Sequence, residues 1–211
     1  MSIGGWLFAA VYDRLTAAAE AAGLSKRREA LLAAANGRVL EIGAGTGANL
    51  AFYPDAVQTL TLAEPEAPMA RRLARRVASQ TRIVNIVEAP AEHLPFPDGS
   101  FDTIVVTLVL CTVSNPARAL AEIRRVLAPG GRLLFLEHVR SDDSRIVRWQ
   151  DRLNGLNQIV AHGCHCNRAT LDTIQAAGFT ILEITRGEFP KAPPFVRPLV
   201  AGAATVSVTP H

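Results

Sequence analysis

One stretch constrains this chain more than any other: Val39-Leu40-Glu41-Ile42-Gly43-Ala44-Gly45-Thr46-Gly47. A short apolar strand runs into a turn with glycines at alternate positions, after which a helix is expected. Glycine lets the backbone approach a ligand closely and take positive φ. In an open α/β sheet the ligand of such a turn lies in the crevice at the carboxyl ends of the strands. The spacing is G-x-G-x-G. In G-x-G-x-x-G the third glycine serves a pyrophosphate against the helix start, so a nucleotide-type ligand without a pyrophosphate is expected here. Glu64 closes the next strand, 21 residues after Gly43, where an acidic side chain can accept from ribose hydroxyls.

The rest of the chain alternates helix and strand signals, the pattern of a mostly parallel sheet covered on both faces. Helices are expected over 3–22, with Leu7, Val11 and Leu15 four apart, and over 25–35, with Ser25 as N-cap and Glu29 in the first turns. Strands are expected over 38–42, 59–63, 83–88, 101–107 and 132–137. Helices are expected over 68–79 and 117–127, the second stopped by Pro129-Gly130-Gly131. Residues 144–162 read as a helical insertion with an amphipathic face, and 170–177 as a helix ended by Gly178. The last strands, 179–186 and 201–209, should pair antiparallel at one side of the sheet.

The 211 residues suffice for one α/β domain. It divides into an N-terminal helical part (1–36), a ligand-binding core (37–140) and substrate-side helices with the last strands (141–211). With 49% hydrophobic and 19% charged residues the composition is globular. The charge is +3, and Arg71, Arg72, Arg75 and Arg76 form the one dense basic cluster. No aromatic residues interleave with them, so a solvated helix face is expected and nucleic-acid binding is not. Three cysteines, Cys111, Cys164 and Cys166, form no secreted disulfide framework. The first 22 residues are too interrupted by Asp13, Arg14 and Glu20 for a membrane span or a signal peptide. A cytoplasmic setting without stable membrane attachment is expected.

Four stretches resemble class I S-adenosylmethionine-dependent methyltransferases of the ubiquinone-biosynthesis-like branch: 41–47, 62–65, 123–131 and the run Ala91-Glu92-His93-Leu94-Pro95-Phe96-Pro97-Asp98-Gly99-Ser100-Phe101-Asp102. The resemblance implies a Rossmann-like α/β fold, a seven-stranded mostly parallel sheet with helices on both faces, and S-adenosyl-L-methionine as cofactor. Glu41 would anchor the loop near the methionine amine, with Gly43, Ala44, Gly45, Gly47 and Asn49 passing under the cofactor. Glu64, Pro65 and Met69 would border the ribose side, and Ala91 and Glu92 the adenine. Thr107 and Leu108 would face the methionine part. Pro90 stands where the family often has an acidic residue for the adenine amino group, leaving that task to Glu92 or a backbone carbonyl.

A closer resemblance, through 45–54, 107–113, 136–139, Gly163-Cys164 and Asn167-Arg168, is to the methyltransferase-like-seven group, whose members methylate small alkyl thiols. Lys26-Arg27-Arg28-Glu29 also fits its pattern, without the membrane anchor that precedes it in the animal proteins. The resemblance implies methyl transfer to the sulfur of an apolar thiol. The alternatives are oxygen, nitrogen or carbon acceptors in a small metabolite, such as a quinone or a natural-product intermediate, or cofactor binding without catalysis. His138, directly after the fifth strand, is the candidate catalytic residue or a strand-end structural histidine. Leu108, Val109, Leu110 and Val113 make an apolar pocket region. His162, Cys164, His165 and Cys166 are nearly contiguous and lack a second ligand pair, so they are read as a loop lining the acceptor pocket and no metal is expected. Cys111 reads as a buried hydrophobe, and Trp6 and Tyr12 as lid or packing residues. A monomer or homodimer acting on a small-molecule acceptor is expected.

Overall fold

The computed structural model describes residues 16–161 and 163–207. Seven strands form one sheet: β1 (Gly37–Ile42), β2 (Val57–Ala63), β3 (Val84–Val87), β4 (Phe101–Thr107), β5 (Leu127–His138), β6 (Phe179–Glu188) and β7 (Pro198–Val206). The order is β3-β2-β1-β4-β5-β7-β6. The first five pair in parallel, and β7 runs antiparallel to both β5 and β6. This is the expected sheet, with the last two strands at one side. The chain order reverses between β1 and β4, and that switch point is where such sheets open a crevice.

Alternating side chains of the central strands feed two apolar layers. On one face Leu40, Ile42, Ile104, Val106, Leu133 and Phe135 pack with Leu120 and Ile123 of α3 (Pro116–Val126) and Ile174 of α5 (Thr170–Ala176). On the other, Val39, Val105, Leu134 and Leu136 meet Leu32 of α1 (Ser25–Leu32) and Leu73 of α2 (Ala67–Val77). Burying each such aliphatic chain contributes about 1.5–3 kcal/mol, so the central strands are the firmest part of the platform.

Several elements depart from the sequence expectations. Ser25 is not an N-cap: it is itself helical, and its hydroxyl donates to the Glu20 carbonyl at 2.9 Å. A π turn at Glu20–Leu24, with Gly23 at φ +123°, joins the preceding helix to α1 as a kink. The 3–22 helix is described only from Thr16, and Trp6 and Tyr12 lie outside the described residues. No long helix follows the glycine loop. A 3₁₀ turn at Leu50–Phe52 does, because Tyr53 must turn inward and Pro54 cannot donate to a helix. β5 begins at Leu127, which pairs with Phe101 before the register shifts past the Pro129-Gly130-Gly131 turn. β7 starts three residues early, at Pro198 opposite Glu188, and the end of the expected strand lies outside the described residues.

The helix over 144–162 is α4 (Ser144–Val160), capped by the Asp143 carboxylate accepting from the Arg145 amide at 2.7 Å. Its amphipathic face is present but inverted. Gln150 and Asn157 point inward and are buried, while Trp149, Leu156, Ile159 and Val160 are exposed. No helix among the described residues is long and apolar enough to cross a membrane.

Candidate active site

The glycine loop is tied to the end of β2, beside the switch point. The amides of Gly43 and Ala44 both donate to the Ala63 carbonyl, at 2.8 and 3.1 Å. Gly43 sits at φ +65°, and a Cβ there would strike the Val109 side chain at 2.5 Å, so the loop is packed beneath. Gly45 differs: at φ +57° its missing side chain faces open space, with nothing within 4 Å. That vacancy is the cradle a ligand needs. Glu64, at the end of β2, borders it. One carboxylate oxygen accepts the Gly45 amide at 2.7 Å and the other the Glu66 amide at 2.9 Å. Burial raises its pKa while those two amides oppose the shift. Each oxygen keeps a lone pair for a further donor such as a ribose hydroxyl.

Behind the loop lies a buried polar network. Glu41 accepts from the Asn49 amide at 2.9 Å and the Tyr53 hydroxyl at 2.6 Å. Burial pushes its pKa up to about 7, against the lowering from Tyr53, Asn49 and the Arg28 charge. Asn49 also donates to the Thr107 hydroxyl at 3.1 Å. Arg28, from α1, donates to Asn49 at 3.0 Å and to Thr107 at 3.1 Å, and pairs with Glu20 at 3.0 Å. The network therefore joins the N-terminal helix, the glycine loop and the end of β4. Sequence reasoning did not give Arg28 or Tyr53 a role, and neither carries a spacing signal.

At the end of β4, Leu108 has φ +61° and donates its amide to Leu136. A left-handed leucine is strained, and such strain clusters at functional sites. The chain beyond is held by Glu137, whose carboxylate accepts the amides of Val109, Leu110 and Cys111 at 2.9, 2.9 and 3.1 Å. Burial raises Glu137 to about 7 as well, against those amides. Glu137 was missed, although an acid at the end of a parallel strand is the signature that marked Glu41 and Glu64. The apolar run is not an open pocket. Leu110 and Val109 are buried in the core, with Val113 packed against it, because Glu137 pulls this turn down onto the sheet.

His138 ends β5, and its ring lies 4.8 Å from that of Phe189. The ring is buried, and Nδ1 has no hydrogen-bond partner among the described residues. Burial lowers its pKa to about 4, against the raising effect of the Val196 and Pro198 backbone, so the imidazole is neutral at physiological pH. A cleft of about 290 Å³ opens beside this strand end, lined by Val139, Ile146, Pro198 and Leu199 and by the charged Arg140, Asp142, Asp143, Arg186, Glu188 and Arg197.

The remaining expected residues are placed as follows. Ala91 and Met69 are buried and Pro65 is exposed. The Glu92 carboxylate accepts the Asn115 amide at 3.1 Å at the start of α3, which leaves the adenine edge to its free lone pairs or to a carbonyl. Arg71, Arg75 and Arg76 face solvent. His162 lies outside the described residues. Cys164 and Cys166 are buried, and the Cys164 sulfur turns to Cys111 at 3.7 Å. Those thiols pack inward because Asn157 and Gln150 of α4 bind the carbonyls of Cys164 and Cys166, at 2.8 and 2.7 Å.

The profile described as a methyltransferase domain matches residues 40–135. The human thiol S-methyltransferases TMT1A and TMT1B are 35% and 36% identical, over 79% and 77% of this chain and 69% and 70% of theirs. The chain belongs to the S-adenosylmethionine-dependent methyltransferases. A ubiquinone/menaquinone C-methyltransferase of Marinomonas is 31% identical over 65% of this chain and 59% of its own. An S-adenosylmethionine-dependent methyltransferase structure from Thermotoga maritima superposes with TM-score 0.70 at 24% identity, over 95% of this chain and 96% of that one. The cyclase SpnF superposes at 0.69 with 22% identity, over 88% of this chain and 80% of that one, so fold alone does not dictate the reaction. The open space at Gly45, the remaining lone pairs of Glu64 and the hydrogen-bonded Glu41 fit the cofactor of this methyltransferase family.

Proposed function

We propose that this methyltransferase alkylates the sulfur of small apolar thiols. S-adenosylmethionine, when bound, supplies a methyl group already activated on a sulfonium. What remains for the chain is to orient one nucleophile, exclude water and manage one proton. Holding the reactants in line can remove about 7–11 kcal/mol of barrier. Glu41 and the loop it anchors hold the amino-acid end, and Glu64 holds the ribose.

The observation that carries the thiol reading is His138: a neutral, buried imidazole at the carboxyl edge with Nδ1 unsatisfied. A free thiol has a pKa of about 8.5, far above the His138 value. As its sulfur gains a carbon, however, its proton becomes strongly acidic. A base with a pKa of about 4 then suffices to accept that proton at Nδ1. A carbon acceptor, which must be deprotonated to an enolate or phenolate before it attacks, calls for a stronger base. The likeness to the quinone C-methyltransferase supports that second reading, and the likeness to the two thiol S-methyltransferases over more of the chain supports the first. The test is a panel of alkyl and aryl thiols, phenols and amines scored for S-adenosylhomocysteine. Turnover of apolar thiols is the expected result. Turnover of a phenol or amine with no thiol turned over would transfer the assignment to the second reading.

A further inference from the structure

The inverted helix α4 presents an outward face that the methyltransferase chemistry does not use. Its inward side is fixed by polar contacts. The Gln150 side chain donates to the carbonyls of Val139 and Cys166, at 3.0 and 2.7 Å, and accepts the Ser141 amide at 2.9 Å. The Asn157 amide holds the Cys164 carbonyl at 2.8 Å. Rotating the helix would bury no apolar group without stranding these, so the apolar side stays outward. Trp149, Leu156, Ile159 and Val160 are 56, 60, 82 and 72% exposed. At 3.6 residues per turn, Arg145, Trp149, Arg152, Leu156 and Ile159 fall within an arc of roughly 80°, with Arg148 at its margin. The three arginines are exposed and occupy the N-terminal half of the face, and the aliphatic residues the C-terminal half. The helix has one acidic residue, Asp151, and it is turned off this arc, bound to Arg140 at 2.7 and 2.8 Å.

We propose that α4 docks on the surface of an anionic phospholipid bilayer. Trp149, Leu156, Ile159 and Val160 enter the boundary between headgroups and acyl chains, and Arg145, Arg148 and Arg152 meet the phosphates. A basic, aromatic-bearing helix lying in the interface plane has this composition. A second copy of the chain fits the face poorly. Antiparallel pairing would press the arginines onto Ile159 and Val160 with no carboxylate to pair them, and burying unpaired charge is costly. Lipid phosphates supply the missing counter-charge. Docking of this kind is reversible and stands apart from the identity of the acceptor. It also brings the cleft bordered by Ile146 to the phase in which apolar acceptors concentrate.

The test is sedimentation of the full chain with vesicles of phosphatidylglycerol and phosphatidylcholine, and with phosphatidylcholine alone. A Trp6→Phe background lets Trp149 emission report insertion. The expected result is salt-sensitive binding to the anionic vesicles with a blue shift. Reversing the three arginines to glutamate should weaken partitioning by roughly 10²-fold. Leu156→Glu with Ile159→Glu should abolish the blue shift. S-adenosylhomocysteine binding and thermal midpoint should be unchanged in both variants. Failure of the intact chain to bind anionic vesicles would overturn the proposal, as would binding indifferent to both sets of substitutions. A solution dimer that Leu156→Glu dissociates would overturn it in favour of self-association.

Discussion

The Arg28 guanidinium donates to the Thr107 hydroxyl at 3.1 Å, joining residues 79 positions apart. It also holds Asn49, which in turn donates to Glu41. One buried cation thereby sets the relative positions of the N-terminal helix, the glycine loop and the end of β4.

Replacing Arg28 with methionine keeps the apolar stem and removes the charge. Glu20, Asn49 and Thr107 each lose a donor, and breaking such a buried pair costs about 3–5 kcal/mol. Denaturant unfolding should show a loss of that order, and S-adenosylmethionine affinity measured by calorimetry should fall with it. Unchanged stability would mean that the network is dispensable.

The two glycines Gly45 and Gly47 should respond differently. Gly45→Val places a side chain where nothing lies within 4 Å. The folded chain should lose the cost of positive φ, about 1–2 kcal/mol and somewhat more for a β-branched side chain, while cofactor binding vanishes. Gly47→Ala brings a Cβ to 2.6 Å from Leu50 and 2.9 Å from Leu73, so its main effect should be on stability. Calorimetric titration beside thermal melts separates the two cases. Retained binding in Gly45→Val would refute the cradle.

His138→Ala should slow thiol methylation near neutral pH by about 10²-fold, the lower end of general-base effects, since a weak base contributes least. The loss should shrink as pH rises past the thiol pKa of about 8.5, where the acceptor ionises unaided. A deficit constant across that range, with an altered melting curve, would make His138 structural. At saturating cofactor, the intact enzyme should keep its rate on acidification until His138 protonates near its value of about 4.

Stability should rise on mild acidification. Glu41 and Glu137 are raised to about 7. The stability each contributes is fully present below its unfolded value of about 4.5 and is lost as pH rises through 7. His138 is lowered to about 4, so its contribution is present above about 6.5 and lost as pH falls through 4. Between pH 8 and 5 two carboxylates outweigh one imidazole, for a net gain of about 3 kcal/mol and a midpoint rise of roughly 5–10 °C. Below that range Glu122 and Asp151, held at about 2 by Arg125 and Arg140 respectively, lose their pairs and the trend reverses. Scanning calorimetry across pH checks this. Glu41→Gln, which keeps one acceptor oxygen for Asn49 and turns an NH2 donor toward the Tyr53 hydroxyl, removes the titrating group and should flatten the acid-side gain.

Glu41, Glu64 and the glycine loop stood out because their signal is local: an acid or a glycine at a strand end, at a spacing the fold imposes. Arg28 was not, since its partners are assembled only when α1 folds across β4, and nothing in Lys26-Arg27-Arg28 says which side chain turns inward. Ser25 looked like a cap, but the kink at Gly23 let the helix run on and left its hydroxyl to the Glu20 carbonyl. The apolar run 108–113 reads equally as pocket or core. The three amides bound by Glu137 decide for core. In α4 the periodicity gave the stripe without giving the side that faces water.

The left-handed backbone at Leu108 limits how acceptor choice can diverge among chains of this kind. β-branched residues are disfavoured at this position by their own geometry, and glycine or asparagine would be accommodated only with loss of the leucine side chain. Variation in what is methylated must therefore be written elsewhere. The side chains around Phe189 and the cleft beyond β5 are where redesign for a new acceptor should begin.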